Sequence, residues 1–564
     1  MAMTWEQSIG AVFGAGSPLE LVDANVHGVD MRVFKNAPQH LGQVFDIARA
    51  HGDKTFLVYE GERISFADVM AQVDAVANLL VNGYKVKQGD RVAIAMRNYP
   101  EWVVSFAAIT SVGAISVSMN SWWSADEIDY ALEDSGSSIL ITDIERHALA
   151  TPTCERLGIK QIVVRASGAL GGDSVHWSDV VKVGAAHPRP EIDTDADATI
   201  LYTSGTTGRP KGAVSTHRAI ISALMTFAAR GTIDGLRKDT PPDPDAPSTA
   251  FILIVPLFHV TGCVPVMLGC FLTGAKLVIM YKWDAGKALP IIQDEGITNF
   301  VGVPTQSWDL VNHPDFAKFD TSSLRAVGGG GAPAPAALVD KVAKSVKNGG
   351  PQLGYGMTET NAFGPGNNGK DYTDRPTSTG RTLPPMTIQI RDENLREVPT
   401  GERGEVWFFG PMLIRGYWNK PDATAETIVD GWLRSGDVGR VDDEGFLYIE
   451  DRVKDMILRA GENVYSAEVE GAIYEHPAVH EVAVFGVPHE RMGEEVAVAI
   501  KPNDGMSISA EELWEFLAGK IAAFKVPSKV AVMNESLPRN AAGKFLKREL
   551  QQWVVDGKLA VTSR

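Results

Sequence analysis

Cysteine is scarce in this chain: 564 residues contain three, Cys154, Cys263 and Cys270, at spacings that suit neither a disulfide ladder nor a metal cluster. A disulfide-stapled fold is excluded, and a reducing cytoplasm is the expected location. Positive charge is short as well, with 53 Lys and Arg against 70 Asp and Glu, a formal charge of −17. Nucleic acid and anionic membrane surfaces would repel such a molecule, so neither is expected as a partner. The opening Met-Ala-Met-Thr-Trp-Glu-Gln has no basic region leading into an apolar stretch, so no signal peptide is expected. Residues 250 to 275 contain no Asp, Glu, Lys or Arg, yet Pro256, His259, Pro265 and glycines interrupt them. A strand entering a buried helix fits that run better than a membrane span, and no integral membrane segment is expected. Repeats and low-complexity tracts are missing too. What remains is 44% hydrophobic sequence, enough for large cores and more than one domain.

The densest signal lies at Tyr202-Thr-Ser-Gly-Thr-Thr-Gly-Arg-Pro-Lys-Gly212, after the strand-like Ala198-Thr-Ile-Leu201. Gly205 and Gly208 let backbone N–H groups approach an anion, Thr203, Ser204, Thr206 and Thr207 can donate hydroxyl hydrogen bonds, and Lys211 adds positive charge. That is a phosphate cradle able to hold a triphosphate. It is not a Walker loop, because Lys211 stands between Pro210 and Gly212 rather than between Gly and Ser/Thr, which disfavours phosphoryl transfer of the kinase or GTPase kind.

Elsewhere, helical and strand periods alternate. Ser65 with Asp68 reads as a helix N-cap pair, Val69, Val73, Val76 and Leu80 follow at helical spacing, and Gly83 is a natural stop. Val92–Met96, Ile139–Thr142 and Phe251–Val255 read as buried strands, which predicts an α/β fold with parallel-rich sheets covered by helices. Residues 239 to 247 form a Pro-rich polar loop. Four glycines at 328 to 331 follow the strand-like Leu324–Val327 and put bare backbone against something flat or bulky. A boundary is expected near 450: strand-like runs at Glu481–Phe485 and Glu495–Ile500 and a helix capped at Ser509 make a small α+β domain.

Four later motifs accompany the loop: Tyr355-Gly-Met-Thr-Glu359, Ser435-Gly-Asp-Val-Gly439, Asp451-Arg-Val-Lys-Asp455 and Pro538-Arg-Asn-Ala-Ala-Gly-Lys544. Together with the loop they resemble, in order, the signature set of the adenylate-forming superfamily of acyl-CoA synthetases, luciferases and peptide-synthetase adenylation domains. The resemblance implies a large ATP- and acyl-binding domain over 1–450, a hinge at 451–456 and a small mobile domain over 457–564. It implies ATP, Mg²⁺ and the co-substrate CoA, with Thr203 and Glu359 as Mg²⁺ ligands of the hard-oxygen kind. Nucleotide binding would fall to the 203–208 loop, Lys211, Gly331, Ala332, Gly354, Tyr355 stacked on adenine, Gly356, Met357 and Thr358. Asp437 would accept both ribose hydroxyls, and Arg452 would reach ribose and α-phosphate. Lys544 would bridge the acyl carboxylate and α-phosphate, and Lys454 would carry the hinge. Around the hinge, Gly461 and Glu462 of the Arg459–Asn463 loop would shape the CoA thiol channel. His259, Val303, Gln306 and Gly329 would border the acyl pocket, His259 with no proton-transfer role.

Only 20 residues follow Lys544, too few for a carrier domain, so an embedded peptide-synthetase module is not expected. The motifs most resemble medium-chain, long-chain and aryl acyl-CoA synthetases. A medium-chain fatty acid is the first expectation and an aryl or steroid-derived acid the second, because pocket volume sets specificity and volume is not legible in motifs. A stand-alone ligase loading a separate carrier protein, and a nucleotide-binding protein without turnover, stay open as alternatives. So does homodimer formation.

Overall fold

The computed structural model of the chain describes residues 2–203, 209–238, 248–332, 334–452, 454–460, 462–540 and 544–564. Two eight-stranded sheets dominate. The first runs, edge to edge, through Gly416–Tyr417, Lys211–Thr216, Asp197–Thr203, Ile115–Ser118, Arg91–Ala95, Ile139–Asp143, Lys160–Val164 and Ser174–His176. The second runs through Gly366–Asn368, Gly350–Gly354, Ala326–Gly330, Asn299–Gly302, Ala250–Leu253, Lys276–Ile279, Thr55–Tyr59 and Glu62–Ser65. In each, six neighbouring strands are parallel and antiparallel pairings are confined to the edges. Parallel strands are covered on both faces, which is why Ile139–Asp143 is buried at every position. The helix Pro100–Ser111 is buried along nearly its whole length, and Trp102 stacks on Phe106 within a core that draws on strands of both sheets.

Local chemistry sets the ends of these elements. The Ser65 hydroxyl accepts from the Asp68 N–H at 3.0 Å and starts the helix Phe66–Asn78, whose continuation stops at Gly83. The Thr216 hydroxyl likewise caps His217–Leu236, at 3.2 Å from the Ala219 N–H. That helix is long and apolar enough to cross a membrane by length and composition, but half of its most apolar stretch is buried in the protein, and its inner face joins the main core.

A third sheet is wholly antiparallel, built from Thr387–Arg391, Gly404–Phe409, Ile428–Val429, Trp432–Val441 and Leu447–Arg452. The expectation of strands at 251–255 and 324–327 is shifted: the strands are Ala250–Leu253 and Ala326–Gly330, because the glycine run itself pairs with both neighbours. The main core ends at Leu447, and two further apolar clusters begin only at Ile457, around a separate sheet that includes Val479–His489 and Gly493–Pro502. Ser509 caps Ala510–Leu517 there, accepting from the Glu512 N–H at 3.1 Å. The Pro-rich segment 239–247 lies outside the described residues.

Candidate active site

A cavity of about 1800 Å³ opens where the C-terminal ends of the second sheet, the third sheet and the segment around Lys544 meet. This exceeds the 300–1,000 Å³ usual for one small ligand and suits a nucleotide together with an acyl group.

One wall begins at the antiparallel pair Asp197–Thr203 and Lys211–Thr216, which places Thr203 opposite Lys211. The Thr203 hydroxyl donates to the Lys211 carbonyl at 3.3 Å, and both residues line the cavity. Ser204, Gly205, Thr206, Thr207 and Gly208, all expected in the cradle, lie outside the described residues. Above this pair the Lys211 ammonium sits 5.1 Å from the centre of the Tyr417 ring. The Tyr417 hydroxyl in turn donates to Glu359 Oε1 at 2.7 Å. Burial raises the Tyr417 phenol above its ordinary range, so it stays a donor. Glu359 is only 8% exposed, and among the described residues its second carboxylate oxygen has no hydrogen-bond partner. A largely buried carboxylate that lines the cavity, beside a lysine and a hydroxyl, suits a hard cation shared with phosphate oxygens. Among the described residues no three His, Cys, Asp or Glu side chains cluster into a complete metal site, so such a cation would need the nucleotide's oxygens as well.

The floor is glycine. A Cβ on Gly329 would lie 1.9 Å from the Gly302 carbonyl oxygen, and one on Gly330 would lie 2.2 Å from that of Gly354. Those contacts exclude any side chain, so the cavity meets bare backbone from Gly329 to Gly331 and then Ala332. The Tyr355 to Glu359 motif follows, with Gly354, Tyr355, Gly356, Met357 and Thr358 all on the cavity surface. Tyr355 N–H donates to the Pro365 carbonyl at 2.8 Å, which fixes the turn.

Asp437 and Arg452 are direct cross-strand partners in the third sheet, so the pairing itself sets opposite charges side by side. Arg452 Nε is 3.3 Å from Asp437 Oδ1, and the Tyr355 hydroxyl donates to Oδ2 at 2.5 Å. Asp437 is 6% exposed, and burial raises its carboxyl above the ordinary aspartate value while the Arg452 charge opposes that shift. A ligand hydroxyl reaching Asp437 would therefore meet a carboxylate already oriented by two neighbours.

Lys544 enters from the segment beyond the third sheet. Its N–H donates to Asn540 Oδ1 at 3.0 Å and its carbonyl accepts from the Asn540 N–H at 2.8 Å, a local turn that aims the side chain into the cavity. Burial pushes its ammonium down to about 8, with the Arg452 charge adding to the drop and Asp437 and Glu359 opposing it. No carboxylate lies within ion-pair distance of it among the described residues. His259 faces the same space; burial and the Lys544 charge push it down to about 4, so its imidazole is neutral near pH 7. Its Nδ1 accepts from the Thr261 N–H at 3.3 Å.

Of the residues expected at the acyl pocket, Val303 and Gly329 line the cavity, but Gln306 does not. Its Oε1 accepts from the Val303 N–H at 2.9 Å and its Nε2 donates to the Ile254 carbonyl at 3.4 Å, so the side chain closes the N-terminus of the helix Pro304–Asn312. The Pro-Thr-Gln pattern after Val303 was a helix-start signal rather than a pocket signal. Lys454 lines the cavity mouth in a turn where the Asp455 and Met456 N–H groups both bond the Arg452 carbonyl at 3.0 Å. Glu462 is exposed on the strand Glu462–Val464 and does not border the cavity, and Gly461 lies outside the described residues.

Sequence reasoning missed Tyr417 and a buried chain around Asp451. Asp451 accepts from the Ser466 hydroxyl at 2.9 Å and from the Ser466 N–H, and Lys547 donates to the same hydroxyl at 2.7 Å while pairing with Glu470 at 2.7 Å. Burial raises the Asp451 carboxyl to about 6. Neither feature has a periodic or spacing signal in the sequence.

With this geometry in view, the relatives fit. The family model of AMP-binding enzymes matches residues 44–418, and that of the AMP-binding enzyme C-terminal domain matches 468–544. A long-chain-fatty-acid–CoA ligase of Mycobacterium tuberculosis is 34% identical over 87% of this chain and 93% of its own length. A feruloyl-CoA synthase of an Amycolatopsis species is 34% identical over 90% of this chain and 97% of its own. The solved o-succinylbenzoate CoA synthetase of Bacillus subtilis, bound to its acyl-adenylate intermediate, superposes with a TM-score of 0.77 at 28% identity, covering 90% of this chain and 98% of that one. The chain therefore belongs to the AMP-binding enzyme family, as an adenylate-forming acyl-CoA synthetase.

Proposed function

We propose that this synthetase activates a carboxylic acid of medium length and that Glu359, Asp437, Arg452 and Lys544 form its adenylation machinery. The observation that carries the reading is their convergence on one cavity whose floor is bare glycine backbone. Asp437 takes the ribose hydroxyls, Arg452 reaches between ribose and α-phosphate, and Lys211 and the hydroxyl of Thr203 face the outer phosphates. Mg²⁺, when bound by Glu359 and Thr203 together with phosphate oxygens, would supply positive charge against the departing pyrophosphate. A carboxylate oxygen of the acid forms a bond to the α-phosphorus as the bond to the β-phosphate oxygen breaks, and pyrophosphate leaves. Lys544 holds both anions in line and stabilises the charge that develops between them. The thiolate of CoA then attacks the acyl carbonyl and AMP departs, leaving the thioester.

The second step needs a different wall. The separate apolar clusters on either side of residues 448–456 support a large domain over 1–450, a hinge at 451–456 and a mobile domain over 457–564. Lys544 in the cavity with Glu462 outside it corresponds to the adenylate-forming arrangement. Rotation about Lys454 would withdraw Lys544 and bring the Arg459–Asn463 loop to the thiol channel. Three buried, unpaired cysteines fit an enzyme working in the cytoplasm, where CoA is reduced.

An aryl acid is the second reading, favoured by Phe227, Phe251, Phe258 and Trp308 in the cavity lining. Acid-dependent pyrophosphate release with CoA, measured over acetate, short to long fatty acids, cinnamates and sterol side-chain acids, tests both. A maximum at medium-chain acids supports the first reading and a maximum at cinnamates the second. A maximum at acetate would sink both.

A further inference from the structure

The acyl side of the cavity, if the proposed function holds, runs between the helix His217–Leu236 and one face of the second sheet. Strand register fixes what that face shows. Val301, Gly328, Gln352 and Asn368 stand in one row across four strands, and Asn299 and Ala326 stand one pair of residues nearer the strand starts. The middle strand is bare, because a Cβ on Gly328 would lie 1.9 Å from the Gln352 carbonyl oxygen. An acyl group lying over it has Val301 on one flank, and Leu224 and Phe227 line the same cavity, all apolar.

On its other flank, and one row deeper beside Phe251, the lining carries carboxamides. Among the described residues the Gln352 carboxamide has no hydrogen-bond partner, although it borders the cavity. Asn299 donates its amide N–H₂ to Thr298 Oγ1 at 2.8 Å, and among the described residues its carbonyl oxygen has no donor. Asn368 donates to Asp234 Oδ2 at 2.6 Å from the other side. Carboxamides flanking an acyl tunnel are a poor wall for a methyl terminus: an alkyl end would strip them of water and return no hydrogen bond.

We infer that Gln352 and Asn299 form a specificity collar for an acid carrying a neutral oxygen function, a hydroxyl or a ketone, on its distal half. Two observations set the charge of that group. Arg230 donates to the carbonyls of Gly364, Gly366 and Arg381, each at 3.1 Å, and its charge is set against Asp234, so it is no free counter-ion. Asp234 lines the same cavity and would repel a second carboxylate. Length follows from the strands: two to four residues separate Gly330, near the adenylation site, from Gly328 and Ala326, about 7–13 Å at 3.3 Å per residue. The preferred acid is thus a medium-length oxygenated one rather than a plain fatty acid or a diacid.

The test compares kcat/KM for pyrophosphate release with octanoate, decanoate, ω-hydroxyoctanoate and ω-hydroxydecanoate, on the wild type, Gln352→Leu and Asn299→Val. The wild type should favour the hydroxy acids by roughly tenfold, the effect of one recovered hydrogen bond to an otherwise unpaired group. Gln352→Leu should reverse the preference by lowering KM for decanoate, a gain that also shows the variant is folded. Asn299→Val should weaken the preference without reversing it. Equal or better use of the plain acids by the wild type overturns the collar, and so does a hydroxy-acid preference that survives Gln352→Leu unchanged. Failure of the wild type to release pyrophosphate with any of the four removes the medium-length ligase reading, and the collar with it.

Discussion

Replacing Lys544 by alanine should separate the two half-reactions, and the structure gives the size of the effect. The ammonium lines the cavity with no carboxylate in ion-pair contact among the described residues, and burial lowers it from 10.5 to about 8. That drop corresponds to about 3 kcal/mol by which the site disfavours the charge when no ligand is bound. Nucleotide and carboxylate reverse the balance, because their negative charge is what the ammonium faces. Lys544→Ala should therefore lose about 3–4 kcal/mol of transition-state stabilisation in adenylation, roughly 10²–10³-fold in kcat/KM. It should still convert a supplied acyl-adenylate and CoA to thioester near the wild-type rate. The pH profile carries a second signature. Only the ammonium form contributes, so wild-type kcat/KM for adenylation should be level below pH 7 and fall through about 8. Lys544→Ala should lack that limb, and Lys544→Arg should push it to higher pH, since a guanidinium stays charged. For stability the sign runs the other way. The folded value lies below the unfolded one, so the penalty is complete below about pH 8 and is relieved as pH rises toward 10.5. The ligand-free Lys544→Ala variant should accordingly be more stable than the wild type at pH 7, with the difference fading toward pH 10.5. Acid-dependent exchange of pyrophosphate into ATP, thioester formation from synthetic adenylate, and denaturant unfolding at several pH values measure all three. Equal loss in both half-reactions, or an alkaline limb that persists in Lys544→Ala, would refute the reasoning.

Glu359→Ala should impair adenylation more than thioester formation and should raise the Mg²⁺ concentration needed for half-maximal pyrophosphate release; an unchanged Mg²⁺ requirement with full adenylation would remove Glu359 from the metal site. Lys454→Pro should do the reverse of Lys544→Ala, because proline fixes φ near −65° and restricts the rotation at the hinge, so adenylation survives while thioester formation is crippled; separate assays of the two steps decide it. Gly329→Ala should abolish acid-dependent turnover or the fold around it, since its Cβ would lie 1.9 Å from the Gly302 carbonyl oxygen and backbone on both strands would have to move; a fully active, equally stable variant in activity and unfolding assays would contradict the close strand approach.

Much of this architecture was legible because it rests on local rules. Apolar runs such as Ile139–Asp143 announce parallel strands, and Ser65 and Ser509 announce helix starts, through forces that act within a few residues. The site was legible where a motif keeps its chemistry together, as in Tyr355 to Glu359. It was illegible where chemistry depends on register between distant strands. The row of Val301, Gly328, Gln352 and Asn368 is fixed by pairings among four strands, and no periodicity in one strand reports it. Tyr417 belongs to the same class: a two-residue strand pairs with Ala213 and Val214 and thereby sets the phenol against Glu359. Gln306 misled for the opposite reason, because a side chain near a pocket in sequence is captured by its own helix terminus.

The most direct test of the central claim follows oxygen. Incubating the enzyme with ATP, Mg²⁺, CoA and octanoate labelled with heavy oxygen in its carboxylate should give acyl-CoA, pyrophosphate and AMP, with one heavy oxygen in the AMP phosphate. That transfer occurs only if the carboxylate attacks the α-phosphorus and the thiol then displaces AMP at the acyl carbon. Formation of ADP, or of AMP without the label, would contradict the account.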